Sequence, residues 1–200
     1  MNLRKTFFFL LVALLSYFFL DQQITVLLAP YSKVYRAIWK TGTLLIFPPL
    51  YLAFFGGGFL IMRLKKSHWT LPFFEILLAQ CLSVAFVRVF KIFIGRARPD
   101  IFLKKGVYGF HGLSWDHHFH SFPSGHTMAA FTLATSLSYL FPRYRVAFFS
   151  IAIILTISRI FLLGHFLSDV IGTAIIALLI GTGVHKFINA ITRSSSYETV

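Results

Sequence analysis

The chain has 200 residues, of which 57% are hydrophobic and only 12% are charged. Soluble proteins carry about 25% charged residues, so this composition excludes an ordinary soluble domain and indicates an integral membrane protein. The 19 Lys and Arg residues outnumber the 6 Asp and Glu residues, but no basic run is interleaved with the polar and aromatic groups that would read bases, so we expect no nucleic-acid partner.

Six apolar stretches approach the roughly 20 residues that a helix needs to cross the hydrocarbon core of a bilayer. They are residues 6–24, 41–62, 71–93, 127–141, 146–163 and 167–188. The sequence therefore predicts an all-α fold, a bundle of six transmembrane helices in a single membrane-embedded domain over residues 1–200. Arg4 and Lys5 precede the first stretch as in a signal sequence, but no small-residue cleavage site follows, so we expect this helix to remain as an anchor.

Two connections between the stretches are long. Residues 22–40 contain Pro30, several aromatic residues and three cations, a composition typical of a segment at the level of the lipid headgroups. Residues 95–122 form a polar connection with four histidines. If the last four helices alternate in direction, this connection and the loop between the fifth and sixth helices open on the same membrane face.

Three polar patches lie at that face, between residues 91 and 169. The first contains Lys91 and Arg98, and the third contains Arg159. These side chains supply three fixed cations, of which the arginines suit fork-like contacts with phosphate oxygens and the lysine acts as a point charge. In the second patch Ser124 and Gly125 open the fourth helix, where free backbone N–H groups and the helix dipole favour an anion. These five residues are the predicted phosphate-binding residues.

Two histidines and one carboxylate complete the predicted site. His165 and Asp169 are four residues apart, so on one helix they would share a face and the carboxylate would hold one imidazole nitrogen. The other nitrogen is then free to attack phosphorus, while His126 is suited to protonate the leaving group and to activate water. The predicted catalytic residues are therefore His165, His126 and Asp169, and the chemistry is phosphoryl transfer.

The three patches resemble the signatures of the type 2 phosphatidic acid phosphatase superfamily. These signatures are Lys-x6-Arg-Pro, Pro-Ser-Gly-His and Ser-Arg-x5-His-x3-Asp. Every fixed position is matched by this chain, at Lys91, Arg98, Pro99, Pro123, Ser124, Gly125, His126, Ser158, Arg159, His165 and Asp169.

The resemblance implies a six-helix membrane phosphatase with its site at the outer face and the catalytic roles given above. It implies a lipid phosphate substrate, with undecaprenyl diphosphate, phosphatidylglycerophosphate, phosphatidic acid and the 1-phosphate of lipid A as candidates. A lipid-to-lipid phosphotransferase would use the same residues, and a lipid or phosphate transporter is a further alternative. A transporter would need charged groups near mid-membrane or inverted repeats, whereas these charges cluster at one face.

No metal or other cofactor is predicted, because fixed cations would neutralise the phosphate. The sequence leaves three roles open for the loop that contains His111, His117, His118 and His120. These histidines bind zinc, contact a lipid headgroup or belong to a loop without a specific function. The distribution of Lys and Arg, with the site residues set aside, favours cytoplasmic termini and a site facing the periplasm or exterior. The short chain resembles bacterial members of the superfamily, which implies a bacterial inner membrane. The expected partners are the bilayer and its lipid phosphate, with no obligate protein partner.

Overall fold

A computed structural model describes residues 3–36 and 47–197. The described chain is helical, with short irregular connections and two isolated β-bridges at Arg96. We number the helices in chain order: α1 (Leu3–Leu15), α2 (Asp21–Leu28), α3 (Pro48–Leu64), α4 (Thr70–Ile94), α5 (Pro99–Lys105), α6 (Gly125–Leu140), α7 (Arg145–Phe161) and α8 (Leu167–Tyr197). A π-helical segment, Ser16–Leu20, joins α1 to α2.

Four helical runs in the described residues are long and apolar enough to cross a membrane, so the chain is a multi-pass membrane protein. They are Thr6–Arg36, Thr70–Ile94, Pro142–Phe161 and Leu167–Ser194. The predicted count of six is not confirmed, since α3 has 17 residues and α6 has 16. The start of the second predicted stretch, residues 41–46, lies outside the described residues.

The first helical run is longer than the hydrophobic stretch predicted for it. The sequence placed a connection at headgroup level from residue 22, but the run continues through Asp21–Leu28 to Arg36. The run packs against the rest of the protein at the point where the connection was expected, since Asp21 and Thr25 are both buried. Packing against the rest of the bundle therefore stabilises a helix in a segment whose polar composition predicted a connection.

Helix α6 lies at the centre of the bundle and packs against α4, α7 and α8. Small residues allow this close packing: Ala129, Ala130 and Ala134 are buried on α6. At the contact with α8, a Cβ atom on Gly181 would lie 2.8 Å from the side chain of Thr135, so only glycine fits at that position. The apolar surface of the outer helices faces outward, as expected of a protein surrounded by lipid.

The connection between α4 and α6 folds back on itself at the end of the bundle. Helix α4 ends at Gly95, which has φ +54° and whose N–H donates to the carbonyl of Lys91. A Cβ there would lie 1.8 Å from the carbonyl oxygen of Gly112, so this turn requires glycine. After this turn, the side chain of Arg96 is buried and that of Arg98 is half-buried. The backbone N–H of Arg98 donates to the carbonyl of His118 at 2.9 Å.

Candidate active site

A cavity of about 480 Å³ opens at this end of the bundle. Its polar wall contains most of the predicted site and its remaining wall is mainly apolar. The predicted site residues that line it are Lys91, Arg98, Gly125, His126, Arg159 and His165. The apolar lining consists of Phe47, Pro48, Pro49, Leu52, Val84, Val87, Met128 and Ala129. The cavity thus joins a cationic end to an apolar groove.

The cations of the cavity come from the ends of three elements. Lys91 lies in the last turn of α4, Arg98 immediately precedes α5, and Arg159 lies in the last turn of α7. Arg88, one turn before Lys91, also lines the cavity, and among the described residues no carboxylate does. The Nε atoms of Arg98 and Arg159 are buried without a hydrogen-bond partner. Such an arrangement suits a polyanionic group that supplies the missing acceptors.

The second patch forms the N-terminus of α6. The side chain of Ser124 is buried and caps the helix, accepting from the N–H of Thr127 at 3.4 Å and from its hydroxyl at 2.9 Å. The Ser124 hydroxyl therefore faces the helix, away from the cavity lining, while Gly125 and His126 line the cavity. A Cβ on Gly125 would meet only Val87, at 3.7 Å, so no protein atom demands glycine there. The helix N-terminus remains directed toward the cavity end.

His165 lies in the loop before α8, not on the helix. Its Nδ1 is 2.6 Å from the carbonyl oxygen of Ser121 and 3.8 Å from Oδ2 of Asp169. The direct hydrogen bond that the four-residue spacing predicted is replaced, because α8 begins at Leu167. Asp169 Oδ2 instead accepts from the Ser121 hydroxyl at 2.6 Å and from the N–H of Phe166 at 2.9 Å. Ser121 therefore contacts both groups.

Asp169 is also part of a buried ionic network that the sequence analysis missed. Arg96, 2% exposed, bonds through one terminal nitrogen to Asp169 Oδ1 and through the other to Asp21 Oδ2 at 2.6 Å. Burial alone would lower the pKa of Arg96, but the attraction of Asp169 and then Asp21 raises it, so the guanidinium is firmly charged. The one signal in the sequence was Asp21 itself, which lies within the first apolar stretch of a chain that has only six acidic residues.

The surroundings of the two cavity histidines favour the neutral imidazole. Burial first, and then the charges of Arg159, Lys91 and Arg98, lower the pKa of His126 to about 3. Burial likewise lowers the pKa of His165 to about 3, against the opposing effect of Asp169. Because Nδ1 of His165 faces a carbonyl oxygen, which can only accept, it carries the ring proton and Nε2 is the unprotonated nitrogen. This tautomer is the one that a nitrogen nucleophile requires.

The histidines of the polar connection are dispersed. His117 and His120 line the cavity, and His117 Nε2 is 3.3 Å from a terminal nitrogen of Arg98. His118 is exposed and pairs with Asp100 at 3.2 Å. Within residues 3–36 and 47–197, no three His, Cys, Asp or Glu side chains converge as metal ligands. The loop thus contributes to the rim of the cavity through two of its four histidines.

Comparisons with known proteins agree with the predicted family. Lipid A 1-phosphatases from Rhizobium johnstonii and Rhizobium etli are each 46% identical over 78 residues, 39% of this chain. The match spans about a third of the length of these relatives, 32% and 34% respectively. The fold is similar to that of a transmembrane PAP2-type phosphatidylglycerolphosphate phosphatase from Bacillus subtilis, with a TM-score of 0.55 at 24% identity, covering 94% of this chain and 96% of that one.

The family assignment rests on the sequence profile of the PAP2 superfamily, which matches residues 72–193. That interval contains the three polar patches, the cavity cations and both site histidines. It also covers more than half of the chain. The protein belongs to the PAP2 superfamily.

Proposed function

We propose that this protein is a membrane lipid phosphate phosphatase that removes a terminal phosphate from an amphiphile through a phosphohistidine intermediate. The observation that carries the proposal is the cavity, which places Lys91, Arg98 and Arg159 beside His126 and His165 and continues into an apolar groove. A phosphate fits the cationic end because fixed cations neutralise its oxygens. An acyl or isoprenoid chain fits the apolar wall.

In the first step, Nε2 of His165 attacks the phosphorus atom of the bound lipid phosphate. A nitrogen–phosphorus bond forms as the bond between phosphorus and the lipid oxygen breaks, and His126 donates a proton to that leaving oxygen. Lys91, Arg98 and Arg159 hold the three non-bridging oxygens during this transfer. Ser121 and Asp169 hold the imidazole in the required tautomer, as the 2.6 Å contact from Nδ1 to the Ser121 carbonyl supports.

In the second step, water replaces the lipid alkoxide at the phosphorus atom. His126, now neutral, removes a proton from the attacking water, the nitrogen–phosphorus bond breaks, and inorganic phosphate leaves. The proton balance closes because His126 gives one proton and regains one. The low pKa of His126, about 3, means that its proton must arrive with the substrate, either from the phosphate monoanion or through charge neutralisation by the dianion.

The substrate proposed is a lipid phosphate or diphosphate. The names of the relatives, lipid A 1-phosphatase and phosphatidylglycerolphosphate phosphatase, identify two candidates. Undecaprenyl diphosphate and phosphatidic acid remain the other two. We propose a single membrane-embedded domain in a bacterial inner membrane, with cytoplasmic termini and the site facing the periplasm or exterior. This orientation is in keeping with the excess of Lys and Arg at the opposite end once the basic residues in and beside the site are set aside.

The test is phosphate release from the four lipid substrates by the purified protein in detergent micelles. We expect one or more to release inorganic phosphate, and we expect the Arg159→Met variant to lose this activity. A phosphotransferase would instead move labelled phosphate to an added acceptor lipid. If no lipid phosphate is hydrolysed or transferred under conditions in which the protein is folded, the proposed function is wrong.

A further inference from the structure

We propose that Asp21, on the first helical run, is a positioning residue of the reaction. It shares the guanidinium of Arg96 with Asp169 and thereby leaves the charge of Asp169 available to His165. This inference rests on the proposed function, since it concerns the nucleophile of that reaction. It gives the N-terminal helix a part in catalysis beyond that of a membrane anchor.

The contacts among the three charged side chains are direct and buried. Arg96 bonds to Asp21 Oδ2 through one terminal nitrogen and to Asp169 Oδ1 through the other. Asp21 is 1% exposed and Asp169 is fully buried. The guanidinium carbon also lies 5.0 Å from the ring centre of Tyr17 and 5.1 Å from that of Phe166. Aromatic rings therefore enclose the cation and keep water from screening it.

The charges of this network do not cancel. Two carboxylates, Asp21 and Asp169, surround one guanidinium, Arg96, so the network carries a net charge of about −1. If Asp21 were neutral, Arg96 would be paired with Asp169 alone and the pair would be neutral. Asp21 is therefore the residue that leaves negative charge beside the imidazole of His165, whose Nδ1 lies 3.8 Å from Asp169 Oδ2.

Asp21 also fixes the backbone that carries Asp169. Its Oδ1 accepts the N–H of Ser168 at 2.9 Å, and its Oδ2 accepts the Ser168 hydroxyl. That hydroxyl lies 2.8 Å from Arg96 as well. Since Ser168 is in the first turn of α8, the carboxylate satisfies a free N–H at the positive end of the helix. The first helical run thus holds the turn from which Asp169 reaches the nucleophile.

The reaction gives this charge a role. When Nε2 of His165 bonds to phosphorus while Nδ1 keeps its proton, the ring becomes positively charged. A net negative network behind the ring stabilises that state more than it stabilises the neutral imidazole, so it accelerates formation of the intermediate. Within residues 3–36 and 47–197, the hydrogen bonds of the Asp21 carboxylate go to Arg96, Tyr108 and Ser168 and to none of the cavity cations. Loss of the Asp21 charge should therefore slow chemistry and leave phosphate binding nearly unchanged.

The test compares Asp21→Asn with the wild type, using p-nitrophenyl phosphate as substrate and two inhibitors. We expect kcat to fall at least about 10-fold while KM and the inhibition constant for inorganic phosphate change by less than about 3-fold. Vanadate imitates the five-coordinate phosphorus bonded to the nucleophile, so its inhibition constant should rise in step with the loss of kcat. The matched control is Ser16→Ala on the same helical run, since Ser16 is buried and its hydroxyl donates to the carbonyl of Val12 within the same helical run.

A merely structural role gives a different pattern. Partial misfolding of Asp21→Asn would lower kcat but leave both inhibition constants unchanged, and that result would overturn the proposal. If this variant does not fold, Ser168→Ala tests how Asp21 positions the first turn of α8. It retains all charges but removes the hydroxyl that contacts both Asp21 and Arg96. We expect about a 3-fold fall in kcat with a matching rise in the vanadate constant, and unchanged constants would again overturn the proposal. A wild-type protein without vanadate-sensitive phosphatase activity would instead refute the proposed function.

Discussion

His165 donates its Nδ1 hydrogen to the carbonyl oxygen of Ser121, at a distance of 2.6 Å. This contact fixes the tautomer of the imidazole through the backbone, while Asp169 acts on the ring from 3.8 Å and holds the Ser121 hydroxyl at 2.6 Å. The orientation of the proposed nucleophile therefore depends on the short segment that precedes α6. The His–Asp pair expected from the sequence is in effect a three-residue arrangement.

Removal of the proposed nucleophile should abolish turnover. We expect His165→Ala to lower kcat by at least about 10³-fold, because the variant lacks the nitrogen that attacks phosphorus in the proposed mechanism. The matched control is His118→Ala, an exposed histidine that pairs with Asp100, which should retain wild-type activity. Both are measured by phosphate release at saturating substrate. Near-normal activity of the His165 variant would show that the mechanism is wrong.

Replacement of a clamping arginine by lysine should impair the site although the charge is kept. In Arg98→Lys we expect kcat/KM to fall about 10- to 100-fold, because an ammonium group cannot reproduce the fork-like contacts of a guanidinium with phosphate oxygens. The control is Arg143→Lys, in the exposed turn before α7, which should change kcat/KM by less than about 2-fold. Equal effects of the two substitutions would argue against a phosphate clamp at Arg98.

The stability of the protein should fall as the pH is lowered below about 6.5. His126 and His165 have a pKa of about 3 in the folded protein, below the ordinary value of about 6.5. Between these two values the unfolded chain binds protons that the folded protein does not, so acid favours unfolding. Above about 6.5 the two histidines contribute no pH dependence.

Thermal unfolding in detergent at pH 7.5 and pH 5.0 measures this effect. We expect a midpoint lower by about 3 °C or more at pH 5.0, and a smaller decrease in a His126→Asn, His165→Asn double variant. Inorganic phosphate should raise the wild-type midpoint, because it binds the folded state. An equal decrease in the wild type and the double variant would place the acid sensitivity elsewhere.

Activity should survive chelation of divalent metals. Lys91, Arg98 and Arg159 supply positive charge to the cavity, so we expect EDTA to lower phosphate release by less than about 2-fold. Vanadate should inhibit the same preparation, since it imitates the transition state of phosphoryl transfer. Loss of activity with EDTA, restored by zinc or magnesium, would contradict the metal-independent mechanism and would indicate a metal bound near His117 and His120 at the rim of the cavity.

The family and the convergence of the polar patches were predictable from the sequence. The motif spacings identified the PAP2 superfamily, which the profile match confirms, and the alternation of helices indicated that separate patches meet at one end. Polar residues within a membrane usually face the bundle interior, and Glu75 and Gln80 on α4 are both buried. Glu75 lies 2.9 Å from His185, and Gln80 donates to the carbonyl of Ala129.

The long-range ionic contacts were not predictable from one sequence. Asp21 and Arg96 are 75 residues apart, and Asp21 and Ser168 are 147 apart, so no local spacing relates them. The hydrogen bond from His165 to a backbone carbonyl was equally hidden, because carbonyls carry no sequence signal. Helix lengths also departed from hydropathy, as the first helical run extends to Arg36 and α6 has only 16 residues.

The most direct measurement is the trapping of the covalent intermediate in the His126→Ala variant. Because p-nitrophenolate leaves with little need for a proton, this variant should still form the phosphohistidine, but without His126 to activate water it should hydrolyse the intermediate slowly. We predict that rapid quenching with ³²P-labelled p-nitrophenyl phosphate under alkaline conditions gives a labelled peptide containing His165, and that His126→Ala, His165→Ala gives none. Label on another residue, or turnover without any label on the chain, would contradict the account.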